Sequence, residues 1–89
     1  MIEVVLNITN KKGLHARASA KFVELVDNYE AFCEVSNGAE TVSGDSIMGL
    51  LMLAAAKGTS IRIKVWGKQQ KELIIALQEL IAKKFGEES

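Results

Sequence analysis

The chain opens with Ile2, Val4, Leu6 and Ile8 alternating with Glu3, Val5 and Asn7, the two-residue period of a strand with one buried face. Lys11-Lys12-Gly13 interrupts it. From Ala16 to Asp27 the period changes. Ala16, Ala20, Val23 and Val26 recur at spacings of three and four beside Phe22 and Leu25, which predicts an amphipathic helix. Ala31 to Ser36 and Glu40 to Ser43 read as strands joined by Asn37-Gly38, a dipeptide that accepts the positive φ of a tight hairpin turn. Ser46 to Lys57 predicts a short, heavily buried helix, because the leucine, methionine and alanine of Leu50 to Ala56 favour helix over strand. Lys57-Gly58 closes it, with the cation near the negative helix end and the glycine in a left-handed cap. Ile61, Ile63 and Val65 alternate with Arg62, Lys64 and Trp66 as a fourth strand. Gln69 to Phe85 predicts a last helix with Leu73, Ile74, Leu77, Leu80, Ile81 and Phe85 on one side.

The resulting order is βαββαβα in one domain spanning residues 1–89. The expected fold is α+β: an open-faced two-layer β-sandwich, with a four-stranded antiparallel sheet and three helices on one face. Many functions use such a fold, so function must come from particular residues.

Composition narrows the field. Apolar residues make up 48% of the 89, enough for a small core, and 11 basic residues balance 11 acidic ones. A balanced chain argues against nucleic-acid binding, which calls for a basic face. An RNA-recognition domain shares the order βαββαβ but needs aromatic platforms on its central strands. Here Tyr29 and Phe32 gather at one strand start, Trp66 ends another, and Glu40 to Ser43 holds no aromatic residue. Cys33, the only cysteine, permits no internal disulfide and is expected to pack in a strand. The longest apolar stretch, Ile47 to Ala56, has ten residues against the roughly 20 of a membrane helix. The first residues lack the basic flank and cleavage site of a signal peptide. The expectation is a soluble, cytoplasmic protein with no membrane insertion, whose Glu87-Glu88-Ser89 tail is solvated and frayed.

The chemistry concentrates in Gly13-Leu14-His15-Ala16-Arg17, where the only histidine stands between a loop and a helix. The first amides of a helix have no internal partners, and the aligned peptide dipoles add partial positive charge there. A phosphate on His15 would accept hydrogen bonds from such amides, Ala16 included, and Arg17 offers a planar charged fork. With a reference pKa of about 6.5, imidazole is nucleophilic near neutral pH and forms a transferable phosphoimidazole. No metal and no cofactor are required. On spacing alone, a lone histidine at a helix start is more often a cap or a surface residue, and Arg17 reads equally as a solvated charge.

These residues resemble the active-site signature of the HPr family of phosphocarriers. Gly44-Asp45-Ser46-Ile47-Met48-Gly49 resembles that family's regulatory-serine segment, and the order of elements matches along essentially the whole chain. The resemblance implies a stoichiometric carrier, not an enzyme in its own right. His15 takes a phosphoryl group through Nδ1 from enzyme I of the phosphoenolpyruvate-dependent phosphotransferase system and donates it to an enzyme IIA-type partner. Arg17 is then the phosphate-binding residue. Ala18 stands where many relatives have proline, which bears on the rigidity of the turn and not on the chemistry. The run Leu50-Leu51-Met52-Leu53 with Ala56-Lys57-Gly58 resembles the nitrogen-related branch, so sugar uptake and nitrogen-type regulation both stay open. A purely binding, HPr-like regulatory protein is the alternative, although such a protein can dispense with the histidine.

Ser46 precedes a predicted helix, so its hydroxyl suits an N-cap. The resemblance adds phosphorylation there by HPr kinase/phosphorylase, where that enzyme exists. A phosphate at a helix start is tolerated by the dipole, so any inhibition would act through charge at a docking face. By the same resemblance, Ile47, Met48 and Leu51, with Ala20, Lys21 and Glu24, form the docking rim of a monomer that meets partners transiently.

Overall fold

The computed structural model describes Met1–Ser89. Its strands are β1 (Ile2–Asn7), β2 (Phe32–Ser36), β3 (Thr41–Ser43) and β4 (Ser60–Trp66), and its helices α1 (Ala16–Asp27), α2 (Ile47–Met52) and α3 (Gln70–Ala82). They follow in the order β1-α1-β2-β3-α2-β4-α3, as the periodicities predict. The sheet order is β1-β4-β2-β3 and every pair is antiparallel. Ile2 lies opposite Val65 and Val4 opposite Ile63, while Cys33 lies opposite Val65 and Val35 opposite Ile63. That register gathers the apolar residues of three strands on one face.

Cys33, Val35, Ile61, Ile63 and Val65 are buried beneath the helices, together with Phe22 of α1, Leu50 of α2 and Leu73 and Leu77 of α3. The other face is open. There Phe32 and Trp66 stack across β2 and β4 with ring centroids 5.8 Å apart, so the two aromatic residues partner each other. Cys33 packs in its strand as expected. Burial, then the nearby carboxylates of Asp45 and Glu34, push its thiol up to about 12, which keeps it protonated and unreactive.

Three segments depart from the sequence reading. Ile8 falls outside β1, although it is buried and exchanges bonds with the 58–59 turn: its N–H donates to Thr59 O (2.8 Å), and its carbonyl accepts from Gly58 N (2.8 Å). The second helix ends at Met52, not at Lys57, and only Leu50 within it is buried. The chain leaves it because Ala54 adopts φ 50°, a left-handed turn normally taken by glycine. Nothing in the run of leucine and alanine announces that break. Ala54→Gly is therefore expected to stabilise the fold by about 0.5–1 kcal/mol, read from urea denaturation, because it relieves Cβ strain at a helix end. A loss of stability would refute the left-handed assignment.

The third departure is the C-terminus. α3 stops at Ala82, and Lys84, Phe85 and Gly86 follow with φ of 56°, 57° and 80°. This left-handed turn buries Phe85, as its apolar character predicts, but in a different backbone state from the expected helix. It also sends residue 87 back across the molecule. The tail is not frayed there.

Candidate functional site

The loop from Asn10 to His15 is built to hold a histidine at the mouth of α1. Gly13 adopts φ 62° and packs so tightly on the chain leaving α2 that a Cβ there would lie 2.2 Å from Ala55 O. The next residue seals the contact, since Leu14 N–H donates to Ala55 O at 2.9 Å. The early exit from α2 thus serves the site: the segment beyond Ala54 forms the wall on which the histidine loop is hung.

His15 is the N-cap residue of α1, with extended backbone and no side-chain capping bond. Its carbonyl accepts the first helical bond, from Ser19 N–H at 2.9 Å. The amides of Ala16, Arg17 and Ala18 therefore lie ahead of the hydrogen-bonded ladder and point toward the helix mouth. Because the amide of Ala18 closes no helical bond, proline and alanine differ at this position without loss of a hydrogen bond. Ser19, fully buried, donates from Oγ to Leu14 O (3.2 Å) and ties the loop to the first turn.

The His15 side chain is 26% exposed and uses Nε2 to contact Glu87 Oε2. Nδ1 is left without a protein partner. An ionised carboxylate only accepts, so the hydrogen resides on Nε2. Glu87 Oε1 in turn accepts from Asn10 Nδ2 at 3.1 Å, and the same Nδ2 donates to Gly13 O at 2.8 Å. The hydrogen bond from His15 holds the Glu87 carboxyl below its ordinary value against the opposing effect of burial, with lesser help from the Asn10 hydrogen bond and from nearby positive charge, Lys12 included. A depressed carboxyl stabilises the folded chain above the ordinary value of about 4.5 and loses that contribution as pH falls through the folded value. The extra stability of the native chain over Glu87→Gln is thus expected to be present above about pH 4.5 and to disappear in stronger acid, read by denaturant titration. A difference that survives undiminished well below about pH 4 would contradict the contact.

Lys11, Lys12, His15, Arg17, Glu87 and Ser89 line a shallow depression of about 150 Å³. Arg17 is exposed and makes no ion pair within the chain, so its guanidinium is free for an anion. The sequence brings His15, Ala16 and Arg17 together as anticipated; Glu87 and Asn10 were not anticipated.

The remaining predicted residues fall on two helices packed against each other. Ala20, Lys21 and Glu24 are exposed on α1. Lys21 has a structural duty as well, donating from Nζ to Phe85 O at 2.6 Å. On α2, Ile47 is 40% and Met48 69% exposed, and Met52 extends the apolar surface at 65%. Leu51 is half-buried. Ser46 caps α2, with Oγ accepting from Gly49 N–H at 3.0 Å.

Comparison with known proteins gives the family. Residues 2–83 match the family described as PTS HPr component phosphorylation site. The chain belongs to the HPr family. It is 45% identical to the phosphocarrier protein HPr of Neisseria meningitidis, over 98% of both chains. Against the phosphocarrier protein NPr of Klebsiella oxytoca it is 38% identical, again over 98% of both. Its fold superposes on the crystal structure of HPr-C-His from Thermoanaerobacter tengcongensis with a TM-score of 0.95 at 38% identity, covering all of both chains. Family membership makes the chain a phosphocarrier-type component of the phosphotransferase system and not a conventional enzyme.

Proposed function

We propose that this protein accepts a phosphoryl group on Nδ1 of His15 from phosphorylated enzyme I and passes it to an enzyme IIA-type acceptor. The observation that carries the reading is the free Nδ1 of a partly exposed histidine at the N-cap of α1, beside three amides ahead of the helical ladder and in the same depression as Arg17. The Nδ1 lone pair forms a bond to phosphorus while the bond from phosphorus to the donor breaks, and that electron pair returns to the donor. The ring keeps its Nε2–H and gains a positive charge. Three phosphoryl oxygens then find the amides of Ala16 to Ala18 and the fork of Arg17, which are charged or dipolar groups already in place. Transfer onward reverses these events on the acceptor. No acid, base or metal is consumed.

The exposed apolar group Ile47, Met48 and Met52, with Leu51 beneath, supplies the contact surface for both partners, and methionine adapts to each. Ala20 and Glu24 extend it along α1. Lys11, Lys12 and Arg17 add positive charge that speeds encounter with acidic partners. Phosphorylation of Ser46 would place a doubly charged group beside Ile47 and obstruct that surface. Met48→Glu and Ser46→Asp are each expected to weaken binding to enzyme I about tenfold, with native circular dichroism. Unchanged affinity in both would remove α2 from the interface.

The test of the function is a relay. The purified chain, with enzyme I and phosphoenolpyruvate, should gain one phosphoryl group by intact mass and lose it on addition of an enzyme IIA protein. A chain that never takes the label is a binding regulator instead.

A further inference from the structure

We propose that Glu87 and Asn10 are positioning residues for this transfer: the Glu87 carboxylate holds the Nε2–H of His15 so that the Nδ1 lone pair faces the donor, and Asn10 holds the carboxylate. The proposal rests on the phosphocarrier reading above.

Each carboxylate oxygen has its own partner. Oε2 meets His15 Nε2, and Oε1 accepts from Asn10 Nδ2 at 3.1 Å. Asn10 is itself completely buried, and the same Nδ2 is anchored on the carbonyl of Gly13. The plane of the carboxylate is thus referred back to the loop that carries the histidine. A neutral imidazole has one hydrogen to place on either ring nitrogen, and a fixed acceptor at Nε2 decides the choice. The tautomer left has its lone pair on Nδ1, the nitrogen without a protein partner.

The backbone is shaped to deliver Glu87 to this place. Lys84, Phe85 and Gly86 are consecutive left-handed residues, two of them not glycine. Such a turn persists only when its surroundings over-determine it. Here the Phe85 ring is 1% exposed, and its carbonyl accepts from Lys21 Nζ at 2.6 Å. The buried ring and the lysine both hold the turn at Phe85, one residue before Gly86 and two before Glu87.

The arrangement also suits the charge changes of the reaction. As Nδ1 bonds to phosphorus, the imidazole becomes cationic while Nε2 keeps its hydrogen. A carboxylate on Nε2 then lies against the new positive charge and stabilises it, as an aspartate does for the histidine of a hydrolase triad. Its own negative charge would repel the incoming phosphoryl group, but Lys11, Lys12 and Arg17 line the same depression and offset it.

The experiment compares the full chain with Glu87→Ala, Glu87→Gln and Glu88→Gln. Two quantities are measured: the single-turnover phosphorylation rate at saturating phosphorylated enzyme I, and the ¹⁵N spectrum of the His15 ring. The native ring should show its hydrogen on Nε2. Glu87→Ala should mix the two tautomers and slow phosphorylation about tenfold. Glu87→Gln, whose amide oxygen still accepts, should keep the tautomer and recover part of the rate. Glu88→Gln should match the native chain. If Glu87→Ala retains both tautomer and rate, or loses only thermal stability, Glu87 is a tail clamp and the proposal is overturned. If no chain is phosphorylated, the Glu88→Gln control included, the phosphocarrier reading itself has failed.

Discussion

Replacing His15 by alanine is expected to abolish phosphoryl acceptance, by at least about a thousandfold, while leaving the fold intact. The reasoning combines what the side chain does with what it does not do. It supplies the only imidazole in the chain, so no other residue can form a phosphoimidazole. It contributes little to packing, since it is partly exposed and its only side-chain hydrogen bond is with Glu87. Its backbone carbonyl, which starts α1, survives the substitution. The melting temperature should therefore fall by only a few degrees, in line with the loss of one partly solvated contact. Residual transfer by His15→Ala would mean that the acceptor lies elsewhere.

Gly13→Ala should give the largest loss of stability among changes near the site, about 3 kcal/mol or more. Two costs coincide at this position. The backbone is left-handed at φ 62°, and the added Cβ would lie 2.2 Å from Ala55 O and 2.9 Å from Ala56 Cα. Both obstacles are backbone atoms, and relieving them pulls apart the Leu14 N–H bond to Ala55 O. A domain this small has roughly 5–15 kcal/mol of total stability, so a fall in melting temperature of about 10 °C or more is expected. Gly58 provides the internal comparison: its φ is 90°, but a Cβ there meets nothing within 4 Å. Gly58→Ala should cost only the backbone part, about 1 kcal/mol. If the two variants are equally stable by urea denaturation, the close approach at Gly13 is wrong.

The strands and the first helix were legible because each buries one face, which imposes a period of two or of three and four on its apolar residues. Ile61, Ile63 and Val65 announce β4, and Ala16 to Asp27 announces α1 to the residue. The length of α2 was not legible. Leu53 and Ala55 are buried like helix residues but flank the left-handed turn at Ala54 that ends the helix, and alanine carries no mark of a left-handed residue. The site divided in the same way. His15, Ala16 and Arg17 are neighbours in sequence, and their shared place at a helix start follows from local pattern. Glu87 reaches His15 across 72 residues and Asn10 across 77, separations that no periodicity reports. The one available hint was Phe85-Gly86: an aromatic residue followed by glycine near the C-terminus marks a docked turn more readily than a frayed end. A reading of Glu87-Glu88-Ser89 by charge alone overlooks it.

The most direct test of the account is to locate the phosphoryl group after reaction with enzyme I and phosphoenolpyruvate, by fragmenting the protein at neutral pH and repeating the measurement after mild acid. The account predicts a single phosphoryl group on the fragment carrying His15, lost in acid. An acid-stable phosphate on Ser46 or another hydroxyl, with His15 unmodified, would contradict it.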